Sequence, residues 1–317
     1  MTHKNMQVIP MKLEQPGKKK YLTLKNGLEK QSVEITELNE SGSVPNLVVI
    51  NNSQLPLLLI DGEELVGAKQ NRIVNATMLL KAESKTIIPV SCTEAGRWAY
   101  KSDNFNDSGV IMERKARAYK SARVHFNINT HGNYDANQSE VWNDIDNLHH
   151  EQGTQSPTGA MKDAFESKKP LIDEYLSQFP LLEDQDGVMV FINGEPTGFD
   201  IVSQSEAYSH LHSKYMKSYV LDALANQRIT TIADLQAGGY KFLHQIDACE
   251  EKVNQPIGLG LDFRYQKDTF YSSALVFEDE VIHLNGFYIP SAKNKNQFNY
   301  GELIRKRGKR WTTGWMF

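Results

Sequence analysis

The sequence contains few of the features that would place a protein outside the cytoplasm or in a membrane. Its two cysteines, Cys92 and Cys249, are too few for a disulfide framework and fit a reducing compartment. No stretch approaches the roughly eighteen consecutive apolar residues of a membrane-spanning helix. The N-terminal segment has a charged start but lacks the apolar core of a secretory signal. We therefore expect a cytoplasmic protein.

Several motifs of known catalytic chemistry are also missing. The chain has no P-loop, no HExxH zinc helix and no GxSxG nucleophile elbow, and GLGLDF at 258–263 departs from the dinucleotide-binding glycine pattern. Arg97 follows Cys92 one position too early for a cysteine-phosphatase loop. We therefore expect Cys92 to be a buried structural residue rather than a nucleophile. The sequence identifies no cofactor.

Neither sign of charge dominates the composition. The 35 Lys and Arg residues against 39 Asp and Glu residues leave a net charge of -4, which predicts no general affinity for nucleic acid or anionic membranes. Hydrophobic residues make up 40% and charged residues 23%, as in ordinary globular proteins. A chain of 317 residues is long enough to bury a large core.

The order of strand-like and helix-like segments predicts an α+β fold in a single large domain, 1–317. Residues 6–110 form short runs rich in β-branched residues between turn signals, which predicts a mainly antiparallel β region. Residues 111–180 carry helical spacing, and residues 187–290 mix strands and helices before a C-terminal tail at 291–317. We expect the closing strands to rejoin the first sheet. Helices are expected at 111–126, 139–152, 157–180, 205–227 and 231–253, with Ser156 as N-cap and Pro157 as first helical residue of the third.

The segment at 57–80 is unusually polar for a β region. We expect 57–92 to form adjacent strands of one sheet, with a type I′ hairpin turn at Asp61-Gly62. Alternation then puts Gln70 and Arg72 on one strand face and Asn71 and Asn75 on the other, which suits a strand bordering a polar pocket. The polar residues are Asp61, Glu63, Glu64, Lys69, Gln70, Asn71, Arg72 and Asn75.

A second polar cluster lies at the end of the neighbouring apolar strand and consists of Ser91, Glu94, Arg97 and Trp98. Arginine supplies planar bidentate donors and tryptophan a stacking face, so the pair suits a phosphate or carboxylate with an attached ring. The alternative is a closed ion-pair network that braces the sheet, with Glu63 or Glu64 paired to Arg72 or Arg97. His283, among apolar strand residues, is either a satisfied core histidine or a ligand-binding one.

Two further charged groups have structural alternatives. The basic residues of the 111–126 helix spread over half its circumference, so we expect a solvated face rather than an anion-steering one. The acids Asp61, Glu63, Glu64 and Glu94 could be considered for a divalent cation, but they cluster around one turn without histidine support. We assign no metal. The basic residues are Arg114, Lys115, Arg117, Lys120 and Arg123.

The motifs DGEELVGAKQNRIVNATMLL and IPVSCTEAGRW, with SPTGAM, GVMVFINGEPTGFDI and VIHLNGF later in the chain, resemble a known family. It is the bacterial domain family named for its association with ADP-ribosylglycohydrolases and rhodanese-phosphatase proteins. The resemblance extends from about residue 6 to residue 290. It implies NAD- or ADP-ribose-linked metabolism, including a role in conflict with phage, and brings no catalytic residues with it.

These observations predict a protein that binds, and in an enzymatic version hydrolyses, an ADP-ribose-like or related phosphorylated nucleotide between the 61–75 and 91–98 clusters. Glu63 or Glu64 would be the general base, Arg72 and Arg97 would hold anionic oxygens, and Trp98 would pack on a ring. The alternative is a non-enzymatic binding or scaffold protein that presents its helices to a protein partner or a second copy of the chain. An enzyme needs these side chains around an open pocket, whereas a brace needs them paired and closed to solvent.

Overall fold

The computed structural model describes residues 1–38, 45–97, 102–225 and 228–289, together with a two-residue strand at Trp315–Met316. Over these residues antiparallel sheets pack against helices, which confirms the predicted α+β class. The helices are α1 Leu24–Glu29, α2 Arg114–His131, α3 Gln138–Gln152, α4 Met161–Ser167, α5 Lys169–Gln178, α6 Ser205–Ala225 and α7 Leu235–Leu243. None of them is long and apolar enough to cross a membrane.

The strands range from two-residue pairings to nine-residue runs. The first half of the chain holds β1 Thr2–His3, β2 Met6–Leu13, β3 Leu22–Thr23, β4 Val33–Glu37, β5 Asn46–Asn51, β6 Leu57–Leu59, β7 Glu63–Gly67, β8 Arg72–Val74, β9 Met78–Leu80, β10 Ser84–Cys92 and β11 Phe105–Ile111. The second half holds β12 Gly187–Ile192, β13 Glu195–Val202, β14 Glu250–Asn254, β15 Leu261–Lys267, β16 Phe270–Phe277, β17 Glu280–Tyr288 and β18 Trp315–Met316.

The largest sheet has the order β1-β2-β12-β13-β17-β16-β15-β14, with β18 also pairing to β2. The closing strands therefore share a sheet with β2, as predicted. Alternate residues of β12 face opposite sides of this sheet. Val188 and Val190 belong to the core cluster that includes α2 and α6, whereas Met189 and Phe191 pack in the cluster that includes Phe242 of α7.

The prediction of one sheet over 57–92 was wrong. Strands β7, β8 and β10 lie in a six-stranded sheet of order β11-β7-β8-β10-β5-β4, whereas β6 and β9 pair in a separate sheet with β3. The short runs LLL and MLL, at β6 and β9, are buried and pair with each other rather than with the polar strands between them. The chain therefore crosses between sheets on each side of the polar segment.

The Asp61-Gly62 turn makes the first of these crossings and is not a hairpin. The Glu63 amide donates to the Ile60 carbonyl at 3.1 Å, and of the two central residues only Gly62 has a positive φ, at 83°. That pattern fits a type II turn rather than type I′. A Cβ at Gly62 would also lie 3.2 Å from Cδ of Arg117, so the buried turn needs glycine for space as well as for conformation.

Two of the predicted helices are divided into separate elements, and the helix predicted at 111–126 is α2, at Arg114–His131. The segment 157–180 contains α4 and α5, and α4 begins at Met161 rather than at Pro157, because the Ser156 hydroxyl accepts from the Ala160 amide at 2.8 Å in the turn before the helix. The segment 231–253 contains α7, a short 3₁₀ turn at Ile246–Ala248 and strand β14.

Candidate functional site

The predicted pocket residues lie in separate buried contacts, and Asp61 contacts two residues of α2. Its carboxylate binds Nζ of Lys120 and lies 3.4 Å from Nε of Arg117, both on α2. Burial alone would raise the pKa of Asp61, but the charges of Lys120 and Arg117 hold it below its ordinary value. Asp61 is thus the anionic partner of two buried cations.

Glu63 faces a different cation. Its Oε1 accepts from Nζ of Lys214 at 2.7 Å, and Oε2 accepts from the Ile60 amide at 2.8 Å. Lys214 also lies 2.6 Å from Oδ2 of Asp107, so one ammonium group joins two carboxylates. Burial raises the pKa of Glu63 despite Lys214, and the neighbouring Asp107 charge acts in the same direction. This side chain ties β7 to β11 and α6.

Glu64, next in sequence, has no cation at hydrogen-bond distance among the residues described. Thr93 donates to its Oε1 at 2.8 Å, and Oε2 has no hydrogen-bond partner within the described chain. Burial raises the pKa of Glu64 to about 7, opposed by the hydroxyls of Thr93 and Ser108. The protonation state of this carboxyl group therefore changes near neutral pH.

Arg72 lies at the centre of a third cluster and is fully buried. Its Nη1 donates to Oε1 of Gln70 at 3.3 Å and to the Asn71 carbonyl at 3.4 Å, and its nearest carboxylate is Glu37 at 3.8 Å. Strand β8 begins at Arg72, so Gln70 and Asn71 lie in the preceding loop. The prediction that they lie on opposite faces of a strand was wrong. Cys92 contacts Gln70 with Sγ at 3.1 Å from Oε1.

Cys92 is buried, as predicted, and burial raises the pKa of its thiol to about 11. A thiol of this pKa is almost entirely protonated at neutral pH, so it is a poor nucleophile. Both observations fit a structural role.

Arg97 is part of a fourth cluster. Its Nε donates to Oε2 of Glu94 at 2.8 Å, and its other nitrogens donate to the Ala68 carbonyl and Oδ1 of Asn71, both at 3.1 Å. Thr158 donates to the other oxygen of Glu94 at 2.9 Å. Of the remaining predicted residues, Lys69 is half-buried in the same loop, Asn75 accepts from Ser91 at 2.9 Å, and Trp98 lies outside the described residues.

His283 is a satisfied core histidine. Its Nδ1 lies 3.0 Å from the Thr77 hydroxyl, its Nε2 lies 3.2 Å from the Tyr215 hydroxyl, and the ring is fully buried. Burial lowers its pKa, so the imidazole is neutral at physiological pH even with Asp200 at 3.7 Å. Both ring nitrogens are occupied by protein groups.

The predicted site residues therefore do not gather around one opening. Asp61, Glu63, Glu64 and Glu94 each contact a different partner, and no group of three or more metal-ligating side chains occurs in the described part of the chain. The specific pairing of Glu63 or Glu64 with Arg72 or Arg97 was also wrong. Most of these side chains are paired and closed to solvent, as in the bracing alternative but with different partners, whereas Oε2 of Glu64 and Nε and Nη2 of Arg72 are buried without a hydrogen bond within the described residues.

Helix α2 contradicts the prediction of a solvated basic face. Arg117 is fully buried and binds both oxygens of Asp200, at 3.1 and 2.8 Å, and Tyr219 donates to the same carboxylate at 2.9 Å. Arg117 also lies over the ring of Phe287, 4.9 Å from its centroid. Although burial acts to lower it, Asp200 and Asp61 raise the pKa of Arg117. The basic residues of α2 are therefore mostly internal, because α2 packs against α3, α6 and strand β16 of the large sheet.

Sequence reasoning missed the acids and the lysine that complete these contacts. Asp200 is in β13 between Phe199 and Ile201, and Lys214 and Asp222 are in the largely apolar α6. A charged residue inside an apolar run is the signal that could have identified them, since such a position requires a buried partner.

An open groove, here called the large groove, lies where α2 begins and α6 ends. It has a volume of about 1090 Å³. On its floor Nε of Arg114 donates to Oδ2 of Asp222 at 2.7 Å and Nη1 donates to the Tyr288 carbonyl at 3.0 Å. Lys115 on its wall donates to Glu151 at 2.6 Å. The other lining residues are Ile192, Asn193, Glu195, Pro196, Thr197, Ala225, Arg228, Thr230, Thr269 and Ile289.

A second opening, here called the small groove, lies between α1, α6 and the 106–109 segment of β11, with a volume of about 520 Å³. Lys214 and Asp107 form part of its wall, with Glu63 bound behind them. The small groove is therefore the described opening closest to a predicted catalytic residue. Neither groove is lined by any residue from 61 to 97.

Comparison with known proteins identifies a family but no activity. The model of the family described as ARG and Rhodanese-Phosphatase-superfamily-associated Protein domain matches residues 1–287. No curated protein and no solved structure matches the chain significantly. The predicted link to ADP-ribosylglycohydrolases stays a prediction, since the matching family is described by its associations.

Proposed function

Since this chain belongs to the family of ARG and Rhodanese-Phosphatase-superfamily-associated Protein domains, whose description states an association and no reaction, we propose its function from the geometry of its grooves. We propose that it is a binding protein for an ADP-ribose-like or related phosphorylated nucleotide, which occupies the large groove. The observation that supports this proposal most directly is the ordered Arg114 floor of an open groove of nucleotide size. The clusters at 61–97 brace the fold around it.

The dimensions of the large groove support a ligand of this size. Small-molecule and cofactor sites typically have volumes of about 300–1,000 Å³. The large groove, at about 1090 Å³, is slightly larger than that range and is open to solvent. It can therefore take a nucleotide without a change in the backbone.

The basic residues of the large groove supply a place for phosphate groups. Arg114 and Lys115 are the first residues of α2, whose N-terminus is capped by the Glu113 carboxyl group, so the two side chains rather than the helix end would meet an anion. Asp222 and the Tyr288 carbonyl hold the Arg114 guanidinium in one orientation, so a ligand does not have to order it. Arg228, which is exposed and lines the same groove, adds a third cation, and the lining also contains three carboxylates, Asp222, Glu151 and Glu195.

The remaining groups fit the other parts of a nucleotide. Tyr288 offers the carbonyl that accepts from Arg114, whereas its ring packs away from Arg114 on Phe242, with ring centroids 5.3 Å apart. Glu151 and Glu195 are carboxylates of the kind that accept hydrogen bonds from ribose hydroxyls.

Catalysis by Glu63 or Glu64 is not part of the proposal. Glu63 is bound to Lys214 and to a backbone amide, and Glu64 is fully buried behind Thr93. A general base must come within hydrogen-bond distance of the proton that it removes. The described structure offers these two carboxyl groups no such access from the large groove. We place this binding function in the cytoplasm, where both cysteines remain reduced.

Isothermal titration calorimetry against NAD, ADP-ribose, ADP and AMP tests the proposal. We expect at least one of them to bind, and Lys115→Ala and Arg228→Ala to weaken that binding about tenfold each, as the loss of a charged hydrogen bond would. Both side chains are at least partly exposed, so their removal should leave the fold intact.

Lys85→Ala is the matched control, since Lys85 is exposed on β10 and lines neither groove. Binding that Lys85→Ala weakens as much as Lys115→Ala would indicate general charge attraction. No binding of any of the nucleotides by the wild-type chain would contradict the proposal.

A further inference from the structure

Helix α6 presents a row of polar side chains to the small groove. His210, Ser213, Lys214 and Lys217 follow the i, i+3, i+4, i+7 spacing of one helical face, and all of them line the groove. This row is distinct from the large groove, whose α6 residues are Asp222 and Ala225. One helix thus contributes to two openings through residues at different positions along its length.

The lysines of the row have more N–H groups than the protein uses. Lys214 is almost fully buried, and its ammonium group donates to Glu63 at 2.7 Å and to Asp107 at 2.6 Å, which accounts for two of its three N–H groups. Lys217 donates to the Gly109 carbonyl at 3.0 Å and forms no ion pair within the described residues. Since both side chains line the groove, their remaining N–H groups are available to a molecule bound there.

His210 adds a neutral donor to the row. The Thr23 hydroxyl lies 3.1 Å from Nδ1 and accepts from the Asn26 amide at 3.4 Å. When Thr23 donates its own proton to Nδ1, the imidazole proton is on Nε2, where the described protein provides no partner. Burial lowers the pKa of His210, so the ring donates as a neutral group at physiological pH.

We propose that this row binds the phosphate group of a small organic phosphate, at a second site separate from the large groove. Three lysines line the small groove, Lys25, Lys214 and Lys217; the first two face the carboxylates of Glu29, Asp107 and Glu63, which leaves Lys217 as the cation without an ion pair within the described residues. Asp107 is bound to Lys214, and Glu29 lies 3.9 Å from Lys25 at the rim. Lysine ammonium, hydroxyl and imidazole N–H groups on one face match the several acceptor oxygens of a phosphate.

The volume of the small groove indicates an organic phosphate rather than the free ion. At about 520 Å³ it lies within the range of small-molecule sites. Leu28 on α1 and Asn106 on β11 form the wall opposite the donor row and provide an apolar and a polar contact for the organic part. The free ion would leave these contacts unused.

Titration calorimetry of the full chain with glycerol 3-phosphate, and separately with inorganic phosphate, tests the proposal. We expect glycerol 3-phosphate to bind more tightly than inorganic phosphate. Lys217→Ala and His210→Ala should each weaken it, Lys217→Ala at least about tenfold through loss of a charged hydrogen bond. Neither variant leaves a buried carboxylate without its cation, whereas Lys214→Ala would. Circular dichroism verifies that both variants fold.

Two controls separate this site from the large groove. Lys85→Ala and Lys115→Ala should bind glycerol 3-phosphate as the wild type does, because neither residue lines the small groove. The proposal is wrong if the wild type does not bind, if inorganic phosphate binds as tightly as the organic phosphate, or if Lys115→Ala weakens binding and Lys217→Ala does not.

Discussion

Two charged regions of this protein look accessible in the sequence for different reasons, and both are internal in the structure. The 61–97 clusters resemble the lining of a pocket in sequence, yet their side chains are paired with one another or with α2 and α6. The basic residues of α2 resemble a solvated face, yet Arg117 and Lys120 are fully buried. The comparison shows that charge density along a chain does not reveal exposure, because a partner far away in sequence decides whether a charge can be buried.

Both regions belong to one internal network. Asp61 from the turn between β6 and β7 meets Lys120 and Arg117 of α2, and Arg117 in turn binds Asp200 of the large sheet. The turn between β6 and β7, helix α2 and the large sheet are therefore joined by the same four charged side chains. We infer that this network fixes the orientation of the smaller sheets against the larger one, which fits the prediction of a single domain.

The largest expected effect comes from removing the central acid. Asp200→Asn keeps the volume of the side chain but leaves the buried Arg117 with only the more distant Asp61. Breaking a buried ion pair on one side typically costs about 3–5 kcal/mol, so we expect a loss of stability in that range. Urea unfolding measures it, and tryptophan fluorescence and circular dichroism should report the same single transition.

Asp184→Asn is the control for this comparison, since Asp184 is exposed and pairs with Lys12 at the surface. Its effect should stay below about 1 kcal/mol. An effect of Asp200→Asn that is equally small would show that the network does not hold the sheets together.

The second effect is a dependence on pH. The pKa of Glu64 is raised from 4.5 to about 7 in the folded protein, so between these values the folded state holds a proton that the unfolded state has released. Stability should therefore be fully present below pH 4.5 and fall as the pH rises to 7, by up to about 3 kcal/mol. Glu64→Gln removes the contribution of this group and should unfold at higher urea concentration than the wild type at pH 8, while the raised pKa of Glu113, about 8, leaves a separate dependence in both proteins.

Urea titrations at several pH values measure the difference between Glu64→Gln and the wild type. Glu34→Gln, at an exposed position of β4, is the control and should leave the profile unchanged. A constant difference between Glu64→Gln and the wild type from pH 4.5 to 8 would rule out Glu64 as the titrating group.

These contacts mark the limit of what the sequence could predict. Composition, β-branched runs and helical spacing predicted the α+β class, strand β12 and helix α6, because each depends on local periodicity. The face that α2 buries depends on Asp200, 83 positions away from Arg117. No local pattern carries that information.

The error at 57–92 has a similar cause. Asp61-Gly62 has the composition of a hairpin turn, but a hairpin also requires that its flanking strands pair with each other. Here β6 pairs with β3 and β9, and β7 pairs with β8 and β11. The short run LLL suits either sheet, so only the tertiary structure decides its partners.

The third effect tests whether Arg97 is a brace. Arg97→Ala removes hydrogen bonds to Glu94, Asn71 and the Ala68 carbonyl. Arg97 is partly exposed and Glu94 keeps its bond to Thr158, so we expect a loss of about 2 kcal/mol rather than the larger cost of a fully buried pair.

Thermal and urea unfolding of Arg97→Ala, with and without the nucleotide that binds most tightly, measure this effect. Nucleotide should stabilise the variant as much as it stabilises the wild type. Unchanged stability together with a lost response to nucleotide would instead favour a ligand-binding role for Arg97.

The smallest expected effect on stability comes from replacing Lys115. This residue and Arg117 are cations of the same helix that differ in exposure. Lys115 is about one quarter exposed and its partner Glu151 about one third, whereas Arg117 and Asp200 are fully buried. Solvent screens the Lys115 pair, so Lys115→Ala should cost less than about 1 kcal/mol. A double-mutant cycle with Glu151→Ala measures the pair itself and should give a coupling energy of about 0.2–1 kcal/mol.

If the large groove binds nucleotide as proposed, Lys115→Ala will lower the affinity for that nucleotide about tenfold while changing the stability of the fold by less than about 1 kcal/mol. A coupling energy near that of a buried pair would mean that Lys115 belongs to the internal network, and its effect on binding could no longer be assigned to direct contact with the ligand.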